Sequence, residues 1–340
     1  MNKIIVIILF VYNINVFGQS FPDAEVDSLL KHGINEIWNH NYDEAVKIFS
    51  ELDANKPGLP FGKIYHAVAL MMMQNDLNIE NDDEITGLLE DAENLSEELL
   101  DKDDDDLWAN YFYALTKSYV SQYHTLTKDY LNALADGLIS IGYFERCLEM
   151  NPDFYEAYVA IGAYKYWSSE LTKDLNWIPF INDEREEGLK LIEESIELSF
   201  YGKETAYNIL IWTYISKGDY NKAVEVCNKV LEEYPGNRIF LNGLAKAYSL
   251  FDKRKAIETY QKVIDSYASN NQLNIYSEIE YKMKIANLYR EMGEDLSAVS
   301  KYNEVIKSCG DNENLDESIK EKKLQVENIV AQLKGQIYGE

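Results

Sequence analysis

The chain has 340 residues, enough for one large or two ordinary domains, and its 46% apolar and 13% aromatic content supplies a core and excludes a mainly disordered chain. Only 6 Pro and 17 Gly argue against a turn-rich β protein, so an all-α fold is expected. The 32 basic against 59 acidic side chains give a net charge of −27, which repels nucleic-acid phosphates and anionic membrane surfaces.

The first twenty residues carry Lys3 near the free amine, an apolar run from Ile4 to Val11 extended to Phe17, and the small residues Val16 and Gly18 before Gln19. This is the pattern of a Sec-type signal peptide over residues 1–18, and the run is well short of the ~20 residues that cross a bilayer. Cleavage after Gly18 is expected. No Cys follows the run to be acylated, so the mature chain, 19–340, is expected outside the cytoplasm with no transmembrane span: periplasmic, envelope-associated or secreted.

Residues 26–59 carry Gly33, Tyr42, Ala45, Phe49, Leu52 and Pro57 at a spacing that recurs later in the chain. Gly62 to Leu100 and Leu107 to Pro152 each read as a helix pair, the second ending with Ser140, Phe144, Cys147 and Pro152 in that register. Across these pairs lies an acidic segment, 76–106, with fifteen carboxylates against one Lys. Ile85, Leu88, Leu89, Ala92, Leu95 and Leu99 recur at helical spacing, which predicts an amphipathic helix from Asp83 to Leu100 and an acidic loop from Asp103 to Asp106. No D-x-D-x-D-G loop signals calcium, and a solvated surface that repels non-partners is the plain reading.

Residues 155–199 place Tyr158, Ile161 and Gly162 on one helix and Gly188, Ile192 and Ser195 on another. Between them, the stretch 167–185 is too apolar for a free loop. Trp177, Ile178, Pro179 and Phe180 are expected to fold back on the helices. They would form with Trp167 either a hydrophobic plug or one wall of a pocket.

The clearest unit is 204–237. Tyr207, Leu210, Ile211 and Tyr214 form one helical stripe, Gly218-Asp219-Tyr220 a turn, Ala223, Cys227 and Val230 a second stripe, and Pro235 a stop. This 34-residue unit resembles the tetratricopeptide repeat, departing from it at Ile211, where the family favours Gly, and at Cys227, where it favours an aromatic residue. Residues 238–267 repeat the register with Leu241, Leu244, Ala245, Tyr248, Ala256, Tyr260 and Val263. Residues 279–312 repeat it with Ile285, Ala286, Tyr289, Gly293, Ala298, Tyr302 and Val305. The resemblance implies a right-handed α-solenoid of about seven helix pairs, closed by a polar capping helix from Leu315 to Gly335.

Catalytic chemistry finds no foothold. His32, His40, His66 and His124 make no H-E-x-x-H, and phosphate loops and G-x-S-x-G are absent, so no catalytic residue, metal or cofactor is expected. Cys147, Cys227 and Cys309 lie about eighty residues apart; one disulfide is open to them, but Cys147 and Cys227 fall on apolar helix faces as small hydrophobes. The resemblance implies a non-enzymatic adaptor whose concave face holds a protein or peptide segment, in envelope assembly or transport. It also allows a periplasmic receptor for a small apolar ligand, partnered with a transporter. A closed cavity of a few hundred Å³ would favour the receptor, and an open polar groove the adaptor. In the repeat's geometry Asn208 and Asn242, 34 residues apart, share the concave face, followed one turn later by Trp212 and Lys246.

Overall fold

The computed structural model describes residues 20–173, 182–269, 272, 274–310 and 316–339. Residues 1–18, where a signal peptide is expected, and Trp177, Ile178, Pro179 and Phe180 lie outside the described residues.

Fifteen α-helices and a short 3-10 turn, with no strand among the described residues, follow one another as seven pairs and a closing helix. The pairs are α1 (Ala24–Trp38) with α2 (Tyr42–Asn55), α3 (Phe61–Leu77) with α4 (Asp82–Lys102), α5 (Leu107–Leu126) with α6 (Tyr130–Met150), and α7 (Tyr158–Leu171) with α8 (Arg185–Leu198). Then come α9 (Lys203–Lys217) with α10 (Tyr220–Glu233), α11 (Arg238–Ser249) with α12 (Lys253–Ser269), α13 (Ile275–Glu291) with α14 (Asp295–Cys309), and the cap α15 (Glu317–Tyr338). The right-handed solenoid implied by the repeats is therefore the fold.

Starts and faces follow from sequence. The side chains of Asp23, Asp106, Asp129, Asp219, Asn237, Asn274 and Asp316 accept hydrogen bonds from first-turn N–H groups that otherwise lack partners. The stripes of the 204–237 unit are buried throughout, Cys227 included. Ile211 is accommodated by the facing helix. A Cβ at Gly243 would sit 2.8 Å from Ile211 Cγ2, so the small residue has moved across the contact. In the fourth pair the backbones themselves touch, since a Cβ on Gly188 would lie 2.6 Å from the Gly162 carbonyl oxygen. All three cysteines are buried and free, which removes the disulfide and bears out the small-hydrophobe reading.

Two expectations need correction. Trp167 is not in the inserted connection: α7 continues to Leu171, because no Gly or Pro intervenes after Gly162, and the Trp167 ring is half-buried 5.2 Å from that of Tyr166. The connection is 172–184. Asp76 does not share the solvated acidic surface of α4. It ends the buried face of α3 and is paired with Arg238.

The superhelix winds far enough to bring the first pair against the fifth and sixth. Trp38 stacks on Phe240 with centroids 5.3 Å apart and planes 8° from parallel, and the Asn237 side-chain amide donates to the Trp38 carbonyl at 2.6 Å. One continuous core consequently runs from Val26 to Ala247.

Candidate functional site

The first helices of the pairs converge on the inner face, where α1, α3, α5, α9 and the start of α11 enclose a recess of ≈ 150 Å³ open to solvent. Trp38, Tyr65, Met72, Tyr119 and Ile239 contribute apolar wall, and Asn75, Gln122, Thr205 and Asn208 the polar groups. No charged side chain lines it, in a chain of net charge −27. The recess is smaller than the closed cavity that would mark a receptor and more apolar than the groove that would mark an adaptor.

Two polar clusters hold its walls in place. In the first, Arg238 donates from Nε to both oxygens of Asp76, at 2.9 and 3.0 Å, and also pairs with it through Nη2. The Tyr42 and Tyr267 hydroxyls donate to the same carboxylate at 2.9 and 2.7 Å. His40 completes the set: its Nε2 accepts from the Arg238 backbone N–H at 3.0 Å, and its Nδ1 lies 2.7 Å from the Tyr42 hydroxyl. Since the Tyr42 proton goes to Asp76, Nδ1 must be the donor, and the ring is the neutral Nδ1–H tautomer. Burial lowers the His40 pKa, against the raising effect of Asp76. At Asp76 burial works to raise the pKa, but the hydrogen bonds from His40 and Arg238 outweigh it and hold the carboxyl below the usual carboxylate range.

In the second cluster, the buried Glu156 accepts from Ser199 Oγ at 2.7 Å and from the Phe200 and Tyr201 N–H groups at 2.6 and 3.2 Å. Burial pushes its pKa up to about 7, although these hydrogen bonds act to lower it. The turn it anchors presents Tyr201, whose hydroxyl donates to Asp27 at 2.5 Å and accepts from the Phe21 N–H at 2.8 Å. Both clusters thus tie the N-terminal repeat to later ones.

Of the four expected concave-face residues, Asn208 lines the recess, and its Oδ1 accepts from Trp212 Nε1 at 3.2 Å. Asn242 stands apart: it accepts from Lys284 Nζ at 3.4 Å in the next repeat and is not part of the recess wall. Lys246 is exposed on α11. The residues that shape the site but carried no repeat signal are Asp76, Arg238, Glu156 and Tyr201. His40 did leave one. His40-Asn41-Tyr42 aligns with Gly218-Asp219-Tyr220, and both leading residues have positive φ, 63° and 80°, so a histidine stands where the turn favours glycine. Among the described residues no three His, Cys, Asp or Glu side chains are grouped to hold a metal, and no helix is long and apolar enough to cross a membrane.

Two models of the tetratricopeptide repeat family match the chain, at residues 204–237 and 243–270. The chain is a tetratricopeptide repeat protein. No curated protein matches it. Among solved structures, this tetratricopeptide protein is similar to a chain of the APC/C hetero-tetramer Cut9–Hcn1, at 15% identity over 93% of this chain and 52% of that one, with a TM-score of 0.54. It spans about half the length of that chain, and the likeness is one of fold. The C-terminal part of a TPR repeat-containing protein from Cytophaga hutchinsonii aligns at 17% identity over 86% of this chain and 98% of that one, TM-score 0.42. The human IFIT1 dimer with PPP-AAAA aligns at 15% identity over 84% and 72%, TM-score 0.43.

Proposed function

We propose that the protein is a non-enzymatic scaffold that works outside the cytoplasm, in envelope assembly or transport, by holding an extended segment of a partner protein on its inner face. The observation that carries this is the uncharged, largely apolar recess among the first helices of five repeats. One neutral side chain of the segment fills the recess, while the Asn208 amide donates to its backbone. The net charge of −27 argues for a protein rather than a nucleic acid as partner, and the pattern over residues 1–18 supports export. A photo-cross-linking residue at position 208 is expected to trap a protein in vivo, while the same residue at the exposed Leu250 traps none. A protein adduct from 250 alone, or from neither, overturns the reading. Intact mass of the exported chain is expected to begin at Gln19; retention of Met1 to Gly18 would refute the export.

One observation favours a small apolar ligand as the runner-up: a largely apolar recess of ≈ 150 Å³ is large enough for a single benzene-sized ring. Native mass spectrometry separates the two, since a receptor purified from its own source carries a small-molecule adduct.

A further inference from the structure

A second surface, away from the recess, is too apolar to be ordinary. In the first half of α6, Tyr130, Leu131, Leu134 and Leu138 are 65%, 84%, 62% and 50% exposed, and their spacing puts them on one helical stripe. The buried positions of α6 are Ala133, Ser140, Phe144 and Cys147, so the stripe faces away from the packed side, and all four of its residues precede Ser140. On its buried side this half packs against α5, Ser121 Oγ donating to the Ala133 carbonyl at 2.7 Å, whereas the following α7 has only 14 residues against the 21 of α6. Large exposed apolar faces on soluble proteins mark interaction sites.

We infer that this stripe docks an amphipathic helix of a partner protein whose polar flanks carry Lys or Arg. The charge around the stripe selects that occupant. Asp129 caps α6 at one end, and Asp82, Asp83 and Glu84 stand exposed at the same edge of the solenoid, because the Tyr123 hydroxyl of α5 donates to Asp82 at 2.8 Å. The buried Lys117 of α5 is already paired with Glu93 and Asp136, and Lys128 in the turn is an exposed positive charge against these four acids. A second copy of the chain would set like carboxylates face to face at −27 each, and an anionic membrane would be repelled in the same way. A cationic amphipathic helix meets both the apolar stripe and its acidic rim. The protein would then engage two partners at once, one on the inner face and one on α6.

The test is fluorescence anisotropy of a labelled synthetic peptide of about 14 residues, leucine on one face and lysine on the other. A glutamate analogue serves as control. The intact mature chain is expected to bind the lysine peptide and not the analogue, and Leu131→Asp with Leu134→Asp is expected to weaken binding at least about tenfold. These positions are exposed, so thermal unfolding should stay within the range of surface substitutions. The double change adds two negative charges. Binding held only by charge would therefore tighten, and tightening or no change overturns the proposal. So does Leu131-dependent dimerisation of the free chain, sedimentation with phosphatidylcholine vesicles, or peptide binding that emerges only after Trp177 and Phe180 are replaced by Ala.

Discussion

Removing the Asp76 carboxylate leaves the Arg238 guanidinium, 2% exposed, without a counter-charge. Breaking a buried pair from one side is more damaging than replacing both partners. Asp76→Asn is expected to cost about 3–5 kcal/mol in urea unfolding, and Asp76→Leu with Arg238→Met clearly less. An equal loss in both would show that the pair acts by net attraction and not by mutual neutralisation. His40 pays in backbone strain for its place in this cluster. A left-handed non-Gly residue costs roughly 1–2 kcal/mol, which its two buried hydrogen bonds, at about 0.5–1.5 kcal/mol each, offset. Its titration and that of Glu156 oppose each other. The folded His40 pKa lies below 6.5, so the unfolded chain takes the proton first. The stability present above pH 6.5 is lost as pH falls through that value toward the folded one. The folded Glu156 pKa of about 7 lies above 4.5, so its contribution is full below 4.5 and lost as pH rises through 7. Glu156→Gln should therefore lose more stability than the wild type between about pH 7 and pH 5, by on the order of 1–3 kcal/mol. Parallel curves for the two proteins would mean that Glu156 is ionised throughout.

At the scale of helix pairs, tolerance depends on how closely the helices cross. Ala223 and Ser140 are fully enclosed, the latter donating to the Ala114 carbonyl at 2.7 Å. Leucine at either site overpacks the crossing and is expected to lower stability by about 1–3 kcal/mol. Unchanged urea midpoints would refute the register assigned to α10 and α6. The cysteines report on the same packing. Burial pushes the Cys147 thiol up to about 12 and raises Cys227 and Cys309 as well, so a thiol reagent should label none of the three in the native protein and all three in denaturant. Labelling of Cys227 under native conditions would place α10 away from α9 and α11.

The whole molecule is an α-solenoid whose first repeat is clamped to its fifth and sixth. Without the clamp the N-terminal pair would be held only by its neighbour, as in an open solenoid. Trp38→Ala removes the stack on Phe240 and one wall of the recess together. It is expected to cost about 3–5 kcal/mol and to increase the radius of gyration measured by small-angle scattering. Lower stability with an unchanged radius would mean that the polar cluster alone keeps the ends together.

The helices, their pairing and the capping helix were legible in the sequence because each depends on contacts within one or two repeats. The stripe from Tyr207 to Tyr214, the Gly218-Asp219-Tyr220 turn and the buried Ala223 are local signals that recur 34 residues on. The insertion boundary was misplaced by a few residues since Trp167 and Leu171 read equally well as helix or as apolar loop. The recess was only half legible. Repeat geometry put Asn208 on the inner face, but it also paired Asn208 with Asn242, which Lys284 engages instead. The closure belongs to the tertiary structure alone. Asp76 meets Arg238 across 162 residues and Asn237 meets Trp38 across 199, and whether they meet depends on small rotations summed over five repeats. No period in the sequence records that sum, and so the shape of the inner face, and with it the recess, was decided only by the fold.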